Sequence, residues 1–152
     1  MIAITLGTEP CVVDALVVRN HLLCDETRHK LIRRADAEAL QVVYDPEKVT
    51  YRSLLEFFYK MHDPTTENRQ GPDVGTQYRS AIFYHDAEQE KIARDVTDKV
   101  NKQWWKGGVA TEILPAGKWW DAEQYHQLYL DNNPGGYECP SHFLRSFPPL
   151  QD

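Results

Sequence analysis

From Ala39 onward, apolar and polar positions group in a repeating way that predicts short strands separated by helices. Leu40, Val42 and Tyr44 alternate with Gln41 and Val43, which predicts a strand from Ala39 to Tyr44 that Asp45-Pro46 stops. Thr50 is a suitable N-cap for a helix over Tyr51 to Met61, where Leu54, Leu55, Phe58 and Met61 recur at helical spacing, and Asp63-Pro64 ends it. A second apolar, β-prone run from Ala81 to Tyr84 predicts a strand. Asp86 then caps a helix in which Ile92, Val96 and Val100 repeat every four residues. Gly107-Gly108 turns the chain into a strand over Val109 to Leu114, and Asp121 starts a helix that runs to Leu130.

The start of the chain is patterned more weakly. Ile2, Ile4 and Leu6 alternate, predicting a strand from Ala3 to Leu6 before Gly7 and Pro10 interrupt it. Between Val17 and Asp36, apolar pairs sit among basic residues without a repeating stripe, which admits either a helix from Glu26 to Arg34 or a poorly ordered tail. The predicted order β-α-β-α-β-α implies an α/β sandwich with helices packed on a small sheet, the strand directions being left open. Trp104, Trp105, Trp119 and Trp120 read as packing residues, with groove lining as the other reading of Trp119-Trp120.

With 17 basic and 23 acidic residues among 152, the formal charge is −6, and no basic block suggests nucleic acid as a partner. Small neutral or peptidic ligands fit this balance better. No run of about 18 apolar residues and no basic-then-apolar leader occurs, so a cytoplasmic protein with no membrane partner is expected. Cys11, Cys24 and Cys139 are three in number and lack CxxC spacing, and the six histidines show no i,i+4 pair. Neither a disulfide scaffold nor a metal site is expected, and reduced thiols are the default.

The densest chemistry lies in Gly71-Pro72-Asp73-Val74-Gly75-Thr76-Gln77-Tyr78-Arg79-Ser80-Ala81-Ile82-Phe83-Tyr84. Glycine and proline forbid a regular element up to Gly75, and hydrogen-bonding side chains then collect at the mouth of a strand. From spacing alone, a satisfied polar turn and a binding loop are both open readings.

This run resembles the GxDxGTQYRSAIxY signature of the peptide methionine sulfoxide reductase A family. Ala37-Glu38-Ala39 with Gln41-Val42-Val43-Tyr44-Asp45-Pro46 is similar to that family's acidic strand-entry segment. Phe57-Phe58-Tyr59-Lys60-Met61-His62-Asp63-Pro64-Thr65, Asn68-Arg69-Gln70-Gly71, Ala122 to Leu130 and Asn133-Pro134-Gly135-Gly136-Tyr137 continue the likeness. It covers Ala37 to the end. Residues 1–36 are therefore expected to be a divergent segment, ordered or disordered, preceding a reductase-like domain over 37–152. The family carries a GCFWG-type motif whose cysteine is the nucleophile, and this sequence contains none.

The resemblance implies an α+β fold with a ferredoxin-like core, helices on a small mixed sheet and an incomplete N-terminal part. It also implies reduction of the S epimer of methionine sulfoxide in proteins or peptides. Glu38 is then the proton donor, Tyr78 binds the sulfoxide oxygen, Asp73 positions a water or a neighbouring donor, and Cys139 resolves the sulfenic acid from a flexible tail. No cofactor is implied; thioredoxin or another dithiol is the reductant, and the protein acts as a monomer. A general acid needs a carboxyl held protonated, and burial beside the Ala39 to Tyr44 strand would raise Glu38 in that sense. Cys11, in Glu9-Pro10-Cys11-Val12-Val13, and Cys24, among His21, Arg28, His29 and Lys30, are the candidate replacement nucleophiles. The alternative is an inactive family member that at most binds oxidised methionine.

Overall fold

In the computed structural model of the protein, residues 3–7, 17–21, 37–119 and 123–152 are described, the first two stretches by backbone alone. Strands β1 (Ala3–Gly7), β2 (Val17–His21), β3 (Ala39–Val43), β6 (Ala81–Tyr84) and β7 (Glu112–Pro115) form one sheet in the order β2-β3-β1-β6-β7. β1 runs parallel to both β3 and β6, β6 is parallel to β7, and β2 is antiparallel to β3. The sheet is therefore mixed, and the chain has an α+β fold with helices packed on it. Two-residue strands β4 (Arg69–Gln70) and β5 (Asp73–Val74) make a separate small hairpin.

Helix α1 (Tyr51–Met61) has the predicted boundaries and helix α2 (Ala87–Gln103) the predicted start, because their caps are local. Thr50 accepts from the Ser53 amide at 3.1 Å, and Asp86 accepts from the Gln89 amide at 2.8 Å, each satisfying a first-turn N–H. The buried stripe of α1 is Tyr51, Leu55, Phe58 and Tyr59, rotated from the expected one, with Leu54 and Met61 only partly covered. The second helix causes the rotation: Tyr59 turns toward α2, its hydroxyl 2.7 Å from Thr97 Oγ1.

Strand periodicity divides the interior. Leu40, Val42 and Tyr44 join Ile82 in the main core under both helices, while Ala37, Ala39 and Ala81 face a smaller cluster with Phe83 and Trp119. Trp104 belongs to the main core and Trp105 packs against it; Trp120 lies outside the described residues. The C-terminal segment packs back on this body, Phe147 stacking on Trp104 with ring centroids 5.0 Å apart while the Trp104 indole donates to the Pro148 carbonyl at 2.9 Å.

Several elements depart from the pattern. β7 begins at Glu112 rather than Val109, because the Val109 amide donates to Asn101 Oδ1 and the Ala110 amide to the Pro64 carbonyl. The helix expected from Asp121 to Leu130 begins on residues outside the description, Asp121 and Ala122; in its described part, turns over 124–128 lead to a single helical turn, α3 (Tyr129–Asn132). Leu128 has a left-handed backbone, φ 51°, which an L residue reaches at a cost and which interrupts any continuous helix there. β2 was not legible: Val17-Val18 is followed by polar residues, and only the free edge of β3 makes a strand of it. The helix expected from Glu26 to Arg34 lies outside the described residues. Among the described residues, no helix is long and apolar enough to cross a membrane.

Candidate active site

The site is assembled from the mouth of β3, the β4–β5 hairpin, the 3-10 turn Thr76–Tyr78 that follows it, and the loop after α3. Gly71 and Pro72 form the hairpin tip, and Gly71 has φ 54°, a region glycine enters without strain. Gly75, with φ 152°, donates to the Asn68 carbonyl at 2.9 Å and accepts from the Tyr78 amide at 3.0 Å, which aims the 3-10 turn toward β3. The Glu38 amide donates to the Gln77 carbonyl at 2.9 Å, so one backbone bond fixes the Glu38 segment beside the turn that carries Tyr78.

Three residues singled out in the sequence act on one another here. Burial pushes the Glu38 carboxyl above its ordinary range, and the charge of Asp73 adds to the rise while His126 opposes it. Tyr78, half-buried, is pushed up by desolvation and by the charges of Glu38 and Asp73. A half-buried carboxyl and a phenol that are both shifted toward their protonated forms are the groups that general-acid chemistry draws on. Such a pair suits an oxygen that must leave as water.

The fourth residue lies on the same hairpin, in a docked rather than a free loop. Cys139 is buried, 9% exposed, with its thiol 3.7 Å from the Gln70 carbonyl and 3.2 Å from Ser141 Oγ. Ser141 in turn donates to Gln70 Oε1 at 2.8 Å. Gln70 is fully buried, and its amide bridges back to Asp63, accepting from the Asp63 amide and donating to its carbonyl, both at 3.0 Å. Downstream, the Arg145 amide donates to the Lys60 carbonyl at 2.9 Å, which anchors the segment on the end of α1.

Sequence reasoning missed Gln70, Ser141 and Tyr137 as site residues. Tyr137 directs its hydroxyl at both oxygens of Asp73, 3.2 Å from each. Its place in Gly135-Gly136-Tyr137 was part of the family likeness, but nothing in that spacing tells which group a phenol will reach. Cys11 and Cys24 lie outside the described residues. No group of three or more His, Cys, Asp or Glu among the described residues is arranged to hold a metal ion.

Fold and site together define an α+β protein in which a carboxyl, a phenol and a second carboxylate meet beside a docked thiol. A family model described as peptide methionine sulfoxide reductase matches residues 28–146, and the chain belongs to that family. The probable peptide methionine sulfoxide reductase of Schizosaccharomyces pombe is 57% identical over 110 residues, 72% of this chain and 65% of that protein. The Saccharomyces cerevisiae peptide methionine sulfoxide reductase is 52% identical over 113 residues, 72% of this chain and 59% of that protein. Among solved structures, reduced Mxr1 from Saccharomyces cerevisiae superposes with a TM-score of 0.70 at 50% identity, covering 72% of this chain and 60% of that one. Methionine sulfoxide reductase A of Corynebacterium diphtheriae gives 0.59 at 39% identity, covering 73% and 57%. The chain thus spans less than two thirds of the length of these relatives.

Proposed function

We propose that this chain carries out the thiol-dependent reduction of the S epimer of peptidyl methionine sulfoxide to methionine, a repair of oxidised protein. The observation that carries the reading is the meeting of Glu38, Asp73 and Tyr78 at one strand mouth, with the Glu38 carboxyl raised by burial and by Asp73. A thiolate attacks the sulfoxide sulfur, and the oxygen, a poor leaving group as an oxide, takes a proton from Glu38 while the Tyr78 hydroxyl donates to it. Asp73 positions a water or a neighbouring donor beside that oxygen. With a second proton from solvent the oxygen leaves as water, and the thiol sulfur stays bonded to the substrate sulfur. A water beside Asp73 then attacks the thiol sulfur and gives up a proton, and methionine departs with the electron pair of the sulfur–sulfur bond. The thiol is left as a sulfenic acid, two electrons having passed from thiol sulfur to substrate.

Cys139 then attacks the sulfenic sulfur, a disulfide forms and water leaves. A dithiol, thioredoxin in the cell, restores both thiols by exchange. The attacking thiol is Cys11, Cys24 or, when no separate resolving step operates, Cys139 itself. The protein acts as a cytoplasmic monomer and needs no cofactor beyond the reductant.

Incubating the purified chain with a peptide bearing S-methionine sulfoxide and dithiothreitol tests the reading. Methionine formation that is specific for the S epimer is expected, and Cys11→Ser, Cys24→Ser and Cys139→Ser variants then identify the attacking thiol. A folded chain that forms no methionine with either dithiothreitol or thioredoxin overturns it.

A further inference from the structure

The C-terminal loop meets the β4–β5 hairpin at two points, and the proposed chemistry uses only the one that holds Cys139. At that point Cys139 and Ser141 rest on Gln70, and a Cβ on Gly71 would approach Ser141 Oγ to 3.0 Å, so the loop lies close against the hairpin tip. At the other, Tyr137 donates to Asp73 Oδ1 and Oδ2 at 3.2 Å each. Tyr137 is 60% exposed, so packing does not account for the placement of its ring.

We propose that Tyr137 is a positioning residue that couples the docked state of the Cys139 loop to the pocket carboxylate Asp73. The inference rests on the reading of Asp73 as part of the sulfoxide pocket. Tyr137 and Cys139 are two residues apart, so a swing that carries the thiol to another sulfur also draws the phenol off Asp73. While the loop is docked, the phenol fixes the carboxylate whose charge acts on both Glu38 and Tyr78. Coupling of this kind is reciprocal: whatever releases Asp73 from Tyr137 loosens the loop, and whatever loosens the loop frees Asp73.

The experiment is a double-mutant cycle on the fully reduced chain without substrate. Iodoacetamide labelling of Cys139, followed by peptide mass, is timed in the parent chain, Tyr137→Phe, Asp73→Asn and the double variant. Each single substitution is expected to speed labelling by at least about 3-fold, and the double variant to label no faster than the faster single, because both remove one interaction. In turnover, Tyr137→Phe is expected to lower kcat by about 3-fold or more with KM little changed, as loss of a positioned group acts on the chemical step. Parent-like labelling of Tyr137→Phe, or effects that multiply in the double variant, overturns the proposal. Coupled labelling in a chain without turnover would leave Tyr137 in its role and refute the reductase reading; turnover with uncoupled labelling would do the reverse.

Discussion

His62 Nε2 lies 2.8 Å from Ser80 Oγ, which ties the end of α1 to the residue that leads into β6 two positions after Tyr78. His62 Nδ1 is 2.7 Å from the Phe58 carbonyl, which can only accept, so Nδ1 carries the proton and Nε2 accepts from Ser80. Ser80 Oγ is also 2.8 Å from Thr111 Oγ1, just before β7. The site loop is thereby braced from behind by a fully buried, neutral imidazole.

Burial pushes His62 down to about 3, and this sets an acid limit on stability. The unfolded chain takes up the proton near 6.5 while the folded chain refuses it, so the stability this group supplies is present above about 6.5 and is lost as pH falls toward 3. Each pH unit in that window removes about 1.4 kcal/mol per such group. Urea unfolding between pH 7 and pH 5 should show the loss. His62→Leu should be less stable at pH 7 and should fall less steeply with acid; an unchanged slope removes His62 from the acid limit.

Loss of the Glu38 carboxyl should act on chemistry and not on folding. Glu38→Gln keeps the backbone bond to Gln77 and is expected to lower sulfoxide reduction by a factor of about 100 or more with the unfolding midpoint unchanged. Because the raised carboxyl is the acid, the rate of the parent chain falls as pH climbs through that raised value, above the ordinary 4.5. The variant should lack that limb. Steady-state rates of both chains across the carboxylate and neutral range decide the matter, and a parent-like rate in Glu38→Gln would remove this residue from the mechanism.

Capping at α2 gives a purely structural prediction. Asp86→Ala deprives the Gln89 amide of its acceptor and removes a negative charge from the start of a seventeen-residue helix. Destabilisation by about 1 kcal/mol is expected from chemical denaturation, with the m-value unchanged.

Removal of the Phe147 ring should loosen the C-terminal anchor. Its stack on Trp104 is nearly parallel, 7° between planes, and the ring also meets Trp105 at 5.4 Å. Since Phe147 is only partly buried, Phe147→Ala is expected to destabilise by about 2 kcal/mol, below the range for a fully buried ring. A drop in thermal midpoint reads this directly.

Much of this was legible where the cause is local. Thr50 and Asp86 fixed the starts of α1 and α2, and the alternation around Val42 and the apolar run at Ala81 fixed β3 and β6, because caps and period-two patterns act over a few residues. Asp73, Tyr78 and Glu38 could be named from the signature and its acidic companion alone. Val109 and Ala110 read as strand until Asn101 and Pro64, outside the run, took their amides, and the described part of the expected Asp121–Leu130 helix failed at Leu128, whose left-handed backbone no residue pattern announces.

The sequence by itself therefore determined the family and the starts of α1 and α2, and it named the candidate proton-bearing groups, since each is written in residues near one another in the chain. Only the tertiary structure decided that β1 runs between β3 and β6, that Asp73's charge reaches both Glu38 and Tyr78, and that Cys139 rests on Gln70 with Tyr137 on Asp73. These relations join residues far apart in the chain, some by more than sixty positions, and no periodicity records them. They exist because burying the apolar faces of the sheet and helices brings the hairpin and the C-terminal loop together, and hydrogen bonds then select which polar groups meet.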